Sequence, residues 1–363
     1  MARLRIYLLP TLALAFAFVQ LGPSQSHSRR VQKRDLPWIR TLAFDPKGER
    51  LLAGDSIGWF TLWELATDQV IGQFALPPFC DADDAAFTPD GKQFLVSSGS
   101  KQGCTGLWYT PVNVRMIRGD DHGSTTISIS PDGKNAVTSN SHFGRPLDLW
   151  DLQNPERLKR SRFKYPIRWA KYYPDGKHLL VVTEDRLAKF DLKSDKAVKW
   201  FNIKRFQQGL PQVSADFTKV ACIQVDQSLP YNRSRIEVYD LEKDSVIGSL
   251  GPKGKNKHER ESIFSLFNGF LFSPDAKTIL ILADWTPENE KQTLSAWDVQ
   301  TGNLRKIVQV KSQHKGVEAM AISPDGKILA LGGRTGMVSL FQLPDLRETR
   351  QIPVPQAEKK PYQ

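Results

Sequence analysis

The chain has 363 residues, a mass of 41.0 kDa and a formal net charge of +11. No stretch beyond the amino terminus is long and apolar enough to cross a membrane, and three cysteines are too few for a disulfide-dense scaffold. The excess of positive charge favours contact with anionic surfaces or polyanions and carries no information about the fold.

Residues 1–26 have the pattern of a secretory signal peptide. A basic start precedes an apolar run from Ile6 to Leu21, and small residues suited to cleavage follow. The alternative is an uncleaved membrane anchor, although the run is shorter than the ~20 residues that a membrane-spanning helix needs. Residues 27–37 then form a basic tail. We therefore expect a secreted or periplasmic protein without a membrane span once the leader is removed.

One turn motif recurs along the rest of the chain. Its clearest copies read Pro-Asp-Gly, where Pro presets φ, Asp tolerates the bridge conformation and Gly closes a type I turn. The first copies are spaced 43, 42 and 43 residues apart, and the later spacings are longer. The seven copies are centred on Pro46, Pro89, Pro131, Pro174, Ala215, Pro274 and Pro324.

A second marker follows each turn, because every repeat has an apolar run that ends in an aromatic residue. The seven aromatic residues are Trp63, Trp108, Trp150, Phe190, Tyr239, Trp297 and Phe341. The apolar runs are short and bounded by turns, which favours strands over helices. Repeats of this length predict an all-β fold, a seven-bladed β-propeller with four-stranded antiparallel blades over residues 38–357, followed by a tail of residues 358–363.

The Ser-Pro-Asp-Gly turns and the Leu-Trp-Asp strand ends resemble the WD-repeat propellers of bacterial type. No repeat has all four residues of the buried tetrad that the family shows, so the resemblance implies the fold rather than a family function. The sequence leaves two routes to closing the last blade. Its outer strand is formed either by the chain's own end, at Thr349 to Pro353, or by residues near Arg30 to Leu36, the interlock that the family implies.

The predicted second blade contains two cysteines that we expect to form a disulfide. Cys80 precedes its first strand and Cys104 lies between its second and third strands, so both connections emerge at one end of the blade. A bridge that closes 25 residues would stabilise the fold by roughly 3 kcal/mol. The alternative is two free thiols, because spacing alone does not fix the Cα separation. Cys222 lies in an apolar run and is expected to be buried.

Acidic and histidine residues gather in the connections of the second and third blades. Such side chains are ligands for cations, so they form a candidate cation site, although no motif sets them at metal-ligand spacing and no particular metal is predicted. The alternative is capping of strand ends and ordinary solvation. The residues are Asp81, Asp83, Asp84, Asp120, Asp121, His122 and His142.

The long insertions all fall at one end of the predicted blades. Connections between strands one and two and between strands three and four are short, whereas residues 139–146, 226–235, 251–263 and 284–292 form long connections at the opposite end. Recognition residues concentrate on loops of rigid scaffolds, and exposed aromatic residues are common binding anchors. The predicted partner-binding residues on this long-loop face are Phe143, Tyr231, Lys253, Lys255, Lys257, Arg260 and Trp285.

These patterns predict an exported, monomeric, non-enzymatic module that uses the long-loop face to bind a protein or a cell-envelope component. Basic runs add an expectation of contact with a polyanion, and the export signal argues against DNA. The alternative is a propeller enzyme, lactonase-like or quinoprotein-like, with its site at the channel mouth. The sequence has no nucleophile elbow, phosphate loop or metal signature, so it names neither a catalytic residue nor a cofactor.

Overall fold

A computed structural model describes fourteen segments of the chain, and all of them belong to the second of two compact units, which spans residues 36–363. The described segments are residues 37–76, 81–98, 104–109, 113–118, 126–139, 147–154, 157–160, 167–183, 186–203, 208–226, 233–250, 266–285, 291–310 and 317–355. These segments contain strands and turns and no helix, and so no helix that could cross a membrane.

The strands form seven sheets, each with four antiparallel strands paired in chain order. Sheets 1 and 2 contain β1 (Ile39–Phe44), β2 (Arg50–Asp55), β3 (Trp59–Glu64), β4 (Gln69–Ala75), β5 (Asp84–Phe87), β6 (Gln93–Ser97), β7 (Cys104–Tyr109) and β8 (Asn113–Arg118). Sheets 3 and 4 contain β9 (Thr126–Ile129), β10 (Asn135–Ser139), β11 (Asp148–Asp151), β12 (Arg157–Arg160), β13 (Trp169–Tyr172), β14 (His178–Val182), β15 (Leu187–Asp191) and β16 (Lys196–Trp200).

Sheets 5 to 7 continue the same pattern. Their strands are β17 (Gln208–Val213), β18 (Lys219–Asp226), β19 (Arg233–Asp240), β20 (Ser245–Leu250), β21 (Leu266–Phe272), β22 (Thr278–Trp285), β23 (Lys291–Asp298), β24 (Leu304–Gln309), β25 (Val317–Ile322), β26 (Ile328–Gly333), β27 (Met337–Gln342) and β28 (Arg347–Pro353). This repetition is a β-propeller with four-stranded antiparallel blades.

Each sheet buries both faces, which explains why the second strand of a repeat is a continuous apolar run. In β14, Leu179 and Val181 pack toward sheet 3, whereas Leu180 and Val182 pack toward sheet 5. Successive side chains of a strand point to opposite faces, so one run of four apolar residues supplies both interfaces. The four side chains are all buried.

Seven hydrophobic clusters join consecutive sheets, and one of them joins the last sheet to the first. In that closing cluster Ile39 and Trp63 pack with Val338 and Leu340. Two hydrogen bonds reinforce the closure, because the Arg350 guanidinium donates to the Asp68 carboxylate at 3.0 Å and to the Leu65 carbonyl at 2.7 Å. Arg350 lies in the last sheet and both acceptors lie in the first, beyond β3.

The recurring turn has the type I geometry that its sequence predicts. In sheet 3 the Gly133 N–H donates to the Ser130 carbonyl at 2.8 Å, and Gly133 has φ +70°. The corresponding positions in sheets 5 and 6 hold Phe217 and Ala276, which adopt the same left-handed conformation at φ +56° and +54°. The hydrogen bonds and packing of the turn therefore impose this conformation even where the residue is not glycine, and the degenerate copy at Ala215 is a true member of the series.

The last sheet obtains its outer strand from the chain's own end. Strand β28 pairs with β27 from Arg347 to Pro353 and so begins two residues before the predicted Thr349. Residues 30–36, the alternative closing strand, lie outside the described residues. Cys104 is the first residue of β7 rather than part of the preceding loop, because the pairing with β6 extends to Thr105 and that with β8 to Cys104. Cys222 is buried, as predicted.

In two repeats the marker tryptophan donates a buried hydrogen bond to a hydroxyl group. The Trp150 indole N–H donates to the Thr138 hydroxyl at 3.0 Å, and the Trp297 indole N–H donates to the Ser295 hydroxyl at 2.9 Å. Both pairs are buried, so each hydroxyl satisfies a donor that has no access to water.

We predict that Thr138→Val destabilises the protein by about 1–3 kcal/mol, because it leaves the buried Trp150 N–H without an acceptor while preserving side-chain volume. Urea denaturation followed by tryptophan fluorescence measures this loss. Thr138→Ser keeps the hydroxyl and is the matched control, expected to lose less. Equal stability of Thr138→Val and wild type would show that the hydrogen bond contributes nothing to folding.

We also predict that stability falls at acidic pH through the turn carboxylates. Hydrogen bonds from the Ser130 and Ser323 hydroxyls hold the pKa values of Asp132 and Asp325 below the ordinary aspartate value. A carboxyl whose pKa is lowered by folding stabilises the protein above its unfolded pKa of about 3.9, and this contribution is lost as the pH falls through the folded pKa. The measurement is the melting temperature from pH 7 to pH 2.

The double variant Ser130→Ala/Ser323→Ala is the control for this pH dependence. It removes the donors and also the acceptors of the Asn135 and Ile328 N–H groups, so its melting temperature should lie below wild type throughout, by a margin that narrows toward pH 2. A difference that stays constant over this pH range would contradict the assignment.

Candidate interaction face and central channel

The described strand ends place the predicted long-loop face opposite the Pro-Asp-Gly turns. Trp285 is the last residue of β22 and pairs with Lys291, and Asp226 ends β18 and pairs with Arg233. The backbone of Trp285 therefore lies at the tip of a hairpin on this face, as the sequence predicts. Its side chain is outside the described part of the chain.

Most other predicted site residues also lie outside the described residues, and their assignments remain predictions. These are Phe143, Tyr231, Lys253, Lys255, Lys257, Arg260, Asp120, Asp121, His122, His142 and Cys80. For Cys104 only the backbone is described. The remaining three, Asp81, Asp83 and Asp84, lie together near the start of sheet 2.

Two of these carboxylates bind an arginine of the neighbouring sheet. One guanidinium nitrogen of Arg40 donates to Asp83 at 2.7 Å, and the other lies 3.5 Å from an Asp81 oxygen. Arg40 is near the start of β1, and both aspartates precede β5, so the pairs link sheets 1 and 2 at the long-loop end of the channel. Asp83 is much less exposed than Asp81, at 15% against 48%, which makes the Asp83 pair the stronger of the two.

Asp84 extends this link to sheet 3. One of its oxygens accepts the Ile127 N–H at 2.7 Å, and the other accepts the Ala85 N–H at 2.9 Å. Burial raises the pKa of Asp84, and nearby Lys171 opposes that rise. The chain of contacts continues into sheet 4, where the Tyr172 N–H donates to the Ser128 hydroxyl at 2.9 Å. The inner strands of sheets 1 to 4 are thus joined by polar contacts in sequence.

The β2–β3 hairpin holds a buried carboxylate at the same end. Asp55 accepts the N–H groups of Ile57 and Trp59 at 3.0 and 2.9 Å. Burial raises its pKa, and these hydrogen bonds partly offset the rise. Beside the hairpin, the Arg334 guanidinium of sheet 7 stacks 3.9 Å from the centre of the Trp38 ring, a cation–π contact between the last and first sheets.

The inner strands enclose a channel of about 950 Å³. Its described charged lining residues are Arg40, Asp83, Asp84 and Lys171, and most of the others are apolar. Within the described segments no group of three or more His, Cys, Asp or Glu side chains could hold a metal ion. The three described aspartates of the candidate cation site instead accept hydrogen bonds from protein groups.

The sequence patterns did not single out Arg40 and Lys171 as candidate functional residues. The available signal was a single charged residue within a short, otherwise largely apolar inner strand, as in Ile39–Phe44 and Trp169–Tyr172. An unpaired charged side chain is rarely buried between two apolar sheets, so such a residue indicates a position that lines the channel.

Comparison with known proteins agrees with the repeat assignment. Residues 305–342 match the family described as WD domain, G-beta repeat. A 153-residue stretch is 28% identical to the protein groucho of Drosophila melanogaster and covers 41% of this chain and 20% of that protein. Subunit I of eukaryotic translation initiation factor 3 from Debaryomyces hansenii is 21% identical over 66% of this chain and 68% of its own length. The chain thus spans only a fifth of the groucho protein.

A shorter match, 31% identical over 22% of this chain, is to the UBP9-binding protein bun62 of Schizosaccharomyces pombe, of which it covers 13%. Among solved structures, a chain of Kuenenia stuttgartiensis hydrazine synthase superposes with a TM-score of 0.68 at 17% identity, over 88% of this chain and 99% of that one. At this identity the likeness concerns the fold alone. Residues 305–342 thus match a WD repeat, and the chain is a β-propeller that is similar to WD-repeat proteins.

Proposed function

We propose that this chain is a seven-bladed propeller that acts as a non-enzymatic interaction module and holds a protein partner on its long-loop face. Seven four-stranded sheets and seven clusters between consecutive sheets support the blade number. The names of two relatives support the role, since one is a binding protein and another is a subunit of a larger factor. The predicted leader at residues 1–26 supports export of the module. Its partner is a protein or a cell-envelope component.

The observation that carries this proposal is the unequal length of the middle hairpins. At the turn end the registers are equivalent, because His178 pairs with Asp191, Lys219 with Asp240 and Thr278 with Asp298. From that common start, sheet 4 has five residue pairs between its middle strands, whereas sheets 5 and 6 have eight. All the extra pairs therefore lie at the long-loop end.

Three additional pairs extend a hairpin by about 10 Å. The hairpins of sheets 5 and 6 thus project beyond those of their neighbours and form a raised wall on one side of the channel mouth. Tyr231 and Trp285 belong to these two hairpins, and the basic insertion with Lys253, Lys255 and Lys257 connects the two sheets. Tyrosine and tryptophan are enriched in interface hot spots, and the lysines would add electrostatic attraction for an acidic partner.

We predict that the variant Lys253→Glu/Lys255→Glu/Lys257→Glu/Trp285→Ala loses at least about tenfold of partner capture, because it removes one aromatic anchor and reverses three charges. The measurement is quantitative recovery of partner proteins after mild crosslinking of the full chain in its native extract.

The matched control reverses three exposed lysines of the opposite face, Lys47→Glu/Lys134→Glu/Lys177→Glu, and should capture the same partners as wild type. Equal losses in both variants would indicate non-specific electrostatic capture. If wild type recovers no protein above a background sample without bait, the interaction-module proposal fails.

A further inference from the structure

The channel has an unequal distribution of charge around its wall. Every charged residue in its described lining comes from sheets 1, 2 and 4. Sheets 5, 6 and 7 contribute only uncharged residues, among them Leu210, Val213, Phe270, Met320 and Ile322. The channel is therefore amphipathic in cross-section, with a charged sector facing an uncharged and largely apolar one.

Within the charged sector, one group differs from the rest. Asp83 is paired with Arg40, and both oxygens of Asp84 accept backbone N–H groups. Lys171 lines the same channel from β13, acts electrostatically on Asp84 and donates no hydrogen bond to another described residue. The ammonium group of Lys171 thus has three donors and a positive charge available to a ligand.

We propose that the channel binds an amphipathic organic monocarboxylate, with its carboxylate on the Lys171 ammonium and its hydrocarbon part against sheets 5 to 7. A volume of about 950 Å³ is ample for an aliphatic carboxylate of about twelve carbons. Burial of the hydrocarbon tail against Leu210, Leu271 and Met320 supplies the hydrophobic part of the affinity, and the charge-assisted hydrogen bond to Lys171 orients the molecule.

The arrangement favours an anionic head group over a cationic one. A cation would have to compete with Arg40 for Asp83, or with two N–H groups for Asp84. An anion instead meets Lys171, which donates no hydrogen bond to another described residue. The apolar sector favours a single charge on the ligand, because a second charge would be placed against uncharged walls and would lose its hydration.

Isothermal titration calorimetry with dodecanoate, below its micelle concentration, tests this site on the full chain. Dodecanoate should bind wild type with a one-to-one stoichiometry. Dodecyltrimethylammonium, which has the same tail and the opposite charge, should bind at least about tenfold more weakly, and acetate, which has no tail, should give no measurable binding. This comparison of probes needs no variant, so it stands even if a substitution prevents folding.

Single-residue variants then test whether the carboxylate of the ligand binds at Lys171. Lys171→Met keeps the length of the side chain and should weaken dodecanoate binding about tenfold, whereas Lys171→Arg should retain it. Lys177→Met is the matched control, since this exposed lysine of the next turn does not line the channel, and it should bind like wild type. Met320→Gln keeps the shape but adds an amide to the apolar wall and should weaken binding about fivefold.

Two results would overturn the proposal. No heat of binding with dodecanoate would show that the channel does not accept such a ligand. Equal affinity of wild type and Lys171→Met, or of the anionic and cationic probes, would place the binding on exposed apolar residues of the outer strands, such as Val198 and Trp200.

Discussion

Burial of both faces of every sheet is the constraint on which this structure depends. A four-stranded sheet with an apolar run in its second strand cannot satisfy both faces alone, so each sheet needs a neighbour on either side. Only closure removes the last unpaired face, and the cluster of Ile39 and Trp63 with Val338 and Leu340 provides it. Arg350, bonded to Asp68 and to the Leu65 carbonyl, adds a polar contact at the same junction.

Closure also explains why the two ends of the sheets differ. At the turn end, the repeated hydrogen bonds of the Pro-Asp-Gly motif fix the length and start the middle strands at equivalent positions. The conformation is imposed strongly enough that Phe217 and Ala276 accept a positive φ there. Variation in length can then appear only at the opposite end, where the hairpins of sheets 5 and 6 project. Because the turn end is constant, the hairpins differ in length on the face where we propose that a partner binds.

The charged side chains of the channel also depend on contacts between neighbouring sheets. Charged side chains on the inner strands either join neighbouring sheets, as Arg40 does with Asp83, or accept N–H groups, as Asp84 does from Ile127. Among the described residues these contacts lie in sheets 1 to 4, and the described lining of the opposite wall is uncharged. The projecting hairpins belong to sheets 5 and 6, so the uncharged wall of the channel and the raised wall of its mouth lie on the same side.

The sequence by itself determined the strand order within a repeat and the turn chemistry, because these depend on local patterns that recur along the chain, every 42 or 43 residues in the first repeats. It also predicted extra length at the end opposite the turns, and the eight-pair hairpins of sheets 5 and 6 extend in that direction. The burial of Cys222 was foreseeable from its apolar run, whereas the sequence left two routes to the last outer strand and the pairing of β28 with β27 decided between them.

Contacts between repeats were decided only by the tertiary structure. Asp81, Asp83 and Asp84 read as cation ligands along the chain, yet Arg40, about forty residues earlier, binds two of them, and the Ile127 N–H of the next sheet binds the third. No local sequence pattern predicts such pairings, because they depend on which inner strands are adjacent in the closed propeller. Lys171 is the clearest case, because its role depends on the described apolar residues that sheets 5 to 7 place on the opposite side of the channel.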